Sequence, residues 1–100
     1  MPQYICLGNF TRQGVGNLAD APKRDEDARR LVEQAGGKVQ IYYTLGEYDF
    51  VAIIEMPDDE SMLKFLLQIG SMGNVVTKTL KAWSESEFAN VVAQIRSTLK

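Results

Sequence analysis

Apolar and polar positions change rhythm along this chain, and each change marks an element. A short apolar run from Tyr4 to Phe10 ("YICLGNF") is bounded by polar residues and predicts a strand. The glycine-bearing stretch from Gln13 to Asp20 reads either as a short helix or as a loop. From about Ala21 to Ala35 the period turns helical, with Ala28, Leu31, Val32 and Ala35 on one face. Asp20 is placed to cap that helix, Pro22 fits its first turn, and Gly36-Gly37 ends it. Two alternating segments, Lys38 to Leu45 and Tyr48 to Met56, predict strands joined by a two-residue hairpin at Gly46-Glu47. Pro57 stops the second of them. "PDDESM" then opens a helix capped by Asp58 or Asp59 and carrying Met62, Leu63, Leu66, Leu67 and Ile69 until "GSMG" closes it. Asn74 to Ala82 predicts a fourth strand. Ser84 to Glu87 ("SESE") forms a capping box ahead of Phe88, Val91, Val92, Ile95 and Leu99, an amphipathic stripe that has to dock on the domain or on a partner.

The order is β-α-β-β-α-β with a C-terminal helix. That is an α+β chain of the ferredoxin-like βαββαβ type, a four-stranded antiparallel sheet with helices on one face. Alternation splits the hairpin into two sets. Val39, Ile41, Tyr43 and Leu45 with Tyr48, Phe50, Ala52, Ile54 and Met56 carry no charge and belong under the helices. Lys38, Gln40, Tyr42 and Thr44 with Asp49, Val51, Ile53 and Glu55 form a semi-polar second face. A turn at Gly46-Glu47 pairs Thr44 with Asp49, Tyr42 with Val51, and Lys38 with Glu55 as a cross-strand ion pair. The second face is too apolar for open water, and a second copy of the chain is the economical cover. In the fourth strand Val76 and Leu80 alternate with Lys78, which an edge position would leave in solvent.

Composition narrows the chemistry. One hundred residues, 45% hydrophobic and 24% charged, make a single domain over 1–100 with a core of its own. A net charge of -2 without a basic run gives no electrostatic grip on nucleic acid or anionic lipid. An RNA-recognition module shares the strand order, yet Phe50 falls on the helix-facing set and "YDFVAII" holds no Lys or Arg. Histidine is absent, which removes the usual general base and the commonest metal ligand. Cys6 stands alone, so no intrachain disulfide or thiolate cluster forms, and it reads as a small core residue. Asp58-Asp59-Glu60 reads as a helix start rather than a cation site. No metal and no cofactor are expected. The N-terminus lacks the pattern of a signal peptide and no segment nears the ~20 apolar residues of a membrane span, so a cytoplasmic location is expected.

Asp49 raises the main question, because aspartate is depleted in strands and a buried carboxylate needs partners. Its structural reading is a tie to turn amides or to Thr44. Its functional reading is a proton acceptor or ligand anchor, in a pocket lined by Tyr42, Thr44 and Tyr48 and shaped by Gly46.

Gly46-Glu47-Tyr48-Asp49 resembles the Gly-x-Tyr-Asp signature of the GYD-domain family. "FTRQG" (Phe10 to Gly14) is similar to that family's entry into the first helix, "PDDE" (Pro57 to Glu60) to its second helix start, and "GNVVTKTLKAW" (Gly73 to Trp83) to its last strand. Val76 departs from the pattern at a place where relatives are expected to carry a basic residue. The resemblance implies a ferredoxin-like, dimeric α/β-barrel fold and supplies no reaction. The function expected is a small-molecule binding or sensing module using a cavity at a homodimer sheet interface, with Tyr42, Thr44, Gly46, Tyr48 and Asp49 at the ligand. A cofactor-free monooxygenase- or isomerase-like enzyme and a structural assembly unit are the alternatives.

Overall fold

A computed structural model describes residues 1–99. The elements are β1 (Gln3–Phe10), α1 (Arg12–Gly16), a 3-10 turn at Leu18–Asp20, α2 (Ala21–Gln34), β2 (Lys38–Tyr43), β3 (Phe50–Glu55), α3 (Asp59–Ser71), β4 (Val75–Ala82) and α4 (Glu85–Ile95), with a second 3-10 turn at Arg96–Thr98. The strands form one antiparallel sheet in the order β2-β3-β1-β4. Each helical crossover therefore joins two parallel strands with a third between them, which is the ferredoxin-like arrangement expected from the element order. β4 lies at an edge, and Lys78 on it is exposed.

The hairpin register is the expected one, with Lys38 opposite Glu55 and Tyr42 opposite Val51, although the Lys38 and Glu55 side chains do not close into an ion pair. Its turn is wider than two residues. The Thr44 amide still donates to the Asp49 carbonyl (2.9 Å), but the chain between them, Leu45 to Tyr48, leaves the ladder. Gly46 carries φ +113°, a conformation that side chains oppose. Leu45, expected under the helices, is thereby turned out and wholly exposed, at 102%.

The core lies between the sheet and helices α2 and α3. Tyr4 and Cys6 of β1, Ala52 and Ile54 of β3, Met56, Val32 of α2, and Met62 and Phe65 of α3 are buried together. On β4 the register places Thr79 beside Cys6 and Thr77 beside Gly8, so Val75, Thr77 and Thr79 face the helices while Val76, Lys78 and Leu80 face away.

The ambiguous segment after β1 is helical, capped by Thr11, whose hydroxyl accepts from the Gly14 amide. Asp20 does not cap α2 with its side chain. It sits at φ -88°, ψ -2°, because the 3-10 turn runs straight into the helix and leaves no extended residue to serve as a cap. Asp58 does cap α3, accepting from the Ser61 amide at 2.8 Å. Ser84 and Glu87 form the capping box of α4. Among the described residues the stripe on α4 has no buried member: Phe88, Val91, Ile95 and Leu99 are exposed and Val92 is half-buried. None of the described helices is long and apolar enough to cross a membrane.

Candidate functional site

Asp49 sits at the point where three segments meet. β3 begins one residue later, so the Asp49 amide can continue the ladder to the Gly8 carbonyl (2.9 Å) and also reach Asn9 Oδ1 (3.1 Å). Its carboxylate Oδ2 accepts from the Phe10 amide at 2.8 Å. That N–H belongs to the last residue of β1, beyond the end of the β3 pairing, and the carboxylate stands in for the missing carbonyl. The end of β1 is fixed from the other side as well, since the Thr11 amide and hydroxyl donate to the carbonyls of Asn74 (3.0 Å) and Gly73 (2.6 Å) ahead of β4.

The remaining expected residues scatter around this node. Thr44 Oγ1 donates to the Tyr48 carbonyl at 2.6 Å and ties the turn internally. Tyr48, expected under the helices, is half-buried and instead borders a shallow depression with Leu7, Asn9, Val76 and Lys78 of the helix-free face, because the widened turn breaks the alternation before β3. Tyr42 is exposed on the helix-free face of the sheet. There it joins Ile53, Val76 and Leu80, which are also exposed, and Ile5, Leu7 and Val51, which are half-buried.

A different cavity lies on the helix side of the sheet. It measures about 90 Å³ and opens beside Phe10, Arg24, Asp25 and Tyr43. Tyr42, Thr44, Gly46, Tyr48 and Asp49 do not line it. Asp49 reaches it through Phe10, whose backbone it holds and whose ring forms part of the mouth. Phe10, Tyr43 and Phe50 pack with ring centroids 6.1–6.2 Å apart, and the Arg24 guanidinium lies 6.0 Å from the Phe10 ring centre. The Tyr43 hydroxyl donates to both Asp25 oxygens, at 2.8 and 2.9 Å. Burial, then that hydrogen bond and the Asp25 charge, push the Tyr43 phenol up to about 12. On the floor, burial raises the Cys6 thiol, only partly offset by Thr79 and Thr77, so it stays a thiol rather than a nucleophilic thiolate.

Sequence reasoning missed this mouth. The signal was present in the strand register, since Tyr43 opposes Phe50 on the helix-facing side. A second polar cluster lies elsewhere on the helix side, where the Tyr4 hydroxyl donates to Asp59 and Lys81 pairs with the same carboxylate at 3.0 Å. Burial and the Asp59 hydrogen bond push the Tyr4 phenol up to about 12, while Tyr4 and Lys81 hold Asp59 below the usual carboxylate range.

Comparison with known proteins bears on the whole chain. A relative from Thermus thermophilus, described as a glutamine synthetase and cystathionine beta-lyase binding protein, is 34% identical over 84 residues, covering 82% of this chain and 88% of its own. The family model for the GYD domain matches residues 4–92, which takes in the hairpin node, both faces of the sheet and the helices over the core, and the chain belongs to the GYD-domain family.

Proposed function

We propose that this chain is a protein-binding module whose docking surface is the helix-free face of the sheet. The observation that carries this reading is the apolar set left uncovered there, with Tyr42, Ile53, Val76 and Leu80 exposed and Ile5, Leu7 and Val51 half-buried among them. Monomeric proteins rarely leave such a set contiguous and bare, whereas interfaces use one. The surface suits a partner that is apolar at its centre and carries a carboxylate to meet Lys78. Glutamine synthetase and cystathionine beta-lyase, for which the Thermus relative is described, are the first partners to try.

Tyr42, Thr44, Gly46, Tyr48 and Asp49 take their place in this reading as the end of that surface. Tyr42 offers an aromatic anchor, and Tyr48 closes the shallow depression beside Leu7 and Val76. Thr44, Gly46 and Asp49 set the turn that presents them. Self-association through the same face, which would close two sheets against each other, belongs to this reading too.

The test is titration calorimetry of the purified chain against each enzyme from its own cells. One of them should bind, and Ile53→Glu should weaken binding by at least about tenfold while far-UV circular dichroism and melting stay unchanged. If neither enzyme binds, or if Ile53→Glu and Leu80→Glu bind as the parent does, the reading fails.

A further inference from the structure

The cavity between the sheet and helices α2 and α3 carries an inference independent of protein docking. Its walls are apolar: Ala28 and Leu31 from α2, Phe65 and Ile69 from α3, with Cys6 and Ala52 on the sheet side. The gap exists because small residues face it. Ala28 and Ala52 present only methyl groups to it. Gly8 lets the Phe50 ring lie down against β1, since a Cβ there would come within 2.0 Å of that ring. Among the described residues, no buried side-chain nitrogen or oxygen lacks a hydrogen-bond partner. No buried side chain around the cavity therefore calls for an ion or a fixed water.

The mouth is charge-balanced. Arg24 spends its guanidinium on the carbonyls of Asn17 (2.8 Å) and Gly14 (3.3 Å), and Asp25 accepts from Tyr43. One positive and one negative group, neighbours in sequence, offset each other, so the mouth favours neither sign of charge. Three aromatic rings frame the entrance, and ring faces and edges pack well on another ring. The volume of about 90 Å³ is over half of the roughly 150 Å³ apolar cavity that admits benzene, and this one is open at its mouth. We infer that this cavity is a binding site for an uncharged small molecule with a single aromatic ring, held ring-inward between Phe65 and the Phe10, Tyr43 and Phe50 mouth. Asp49 then acts as a positioning residue, fixing the backbone from which the Phe10 ring projects.

Titration of the isotope-labelled chain with p-cresol and toluene, followed by proton–nitrogen correlation spectra, tests this directly. Both probes should give saturable shifts centred on Ala28, Ala52 and Phe65. Phenylacetate, of similar size but charged, should bind at least about tenfold more weakly, since its carboxylate would give up water beside a mouth where the Asp25 charge offsets that of Arg24. Ala28→Leu fills the gap from α2 and should weaken p-cresol by at least about tenfold with the spectrum still that of a folded chain, one methylene being enough for such a change in a close-fitting apolar pocket. Should that variant fail to fold, Ile69→Phe fills the gap from α3 and carries the same expectation. Absence of saturable shifts, shifts centred instead on Ile53 and Leu80, phenylacetate binding as tightly as p-cresol, or a filled variant binding like the parent would each overturn the assignment.

Discussion

Helices α3 and α4 start with the same local chemistry. Asp58 caps one and Ser84 the other, both by accepting from an amide three residues on, and both helices open with acidic residues in the first turn. Each carries an apolar stripe at helical spacing. On α3 one side is core, with Met62 and Phe65 2% and 5% exposed and Leu66 and Ile69 packed beside them, while Leu63 and Leu67, expected on the same stripe, are turned out at 56% and 65%. On α4 the equivalent stripe is bare, Phe88 being 64% exposed and Val91 46%. Local sequence thus decides that a segment is helical and which side is apolar. What covers that side is a tertiary matter, and two similar stripes meet different fates in one chain.

The largest expected effect separates the stripes by stability. Met62→Ala should cost about 2–5 kcal/mol in urea unfolding, because it leaves a hole in the buried cluster. Phe88→Ala should stay within about 0.5 kcal/mol at low protein concentration, where its ring lies mostly in water. Equal losses would mean that α4 is docked in solution, and the contrast would be gone.

The caps sharpen the same contrast at a smaller scale. Asp58→Ala should lower global stability by about 0.5–2 kcal/mol, since α3 cannot fray without releasing Met62 and Phe65. Ser84→Ala removes a comparable local contribution and leaves the global midpoint in place. Its effect should instead appear as faster amide exchange confined to α4, the mark of a segment that opens by itself.

The fold was legible because its signals are local or strictly alternating. The strand register followed from placing the turn, and Lys38 does oppose Glu55. Element ends were less so. Leu45 escaped because the turn widened by backbone choices that alternation does not encode, and Asp20 lost its capping role to a 3-10 turn only the folded chain reveals. At the candidate site, the peculiarity of Asp49 was legible, but its bond to the Phe10 amide joins residues far apart in sequence. The cavity was harder still. Its walls draw on Cys6, Ala28, Ala52 and Phe65, each an ordinary core residue alone, and a gap between helices is a property of their spacing rather than of any motif.

Removing α4 altogether gives the smallest effect on stability and the most informative effect on assembly. A chain ending at Trp83 keeps every residue of the buried core, so its unfolding free energy at low concentration should match the parent within about 0.5 kcal/mol. A bare stripe of Phe88, Val91, Ile95 and Leu99 nevertheless costs hydration free energy, and a second copy is always present to relieve it. The full chain should therefore sediment at micromolar concentration above the 11.2 kDa of one copy, with a midpoint that rises with concentration. The shortened chain should lose part of that dependence if α4 is in the interface and none of it if the sheet face alone associates. A full chain that sediments only as a monomer would show that neither surface is used for self-association, and both would then be left to a different protein.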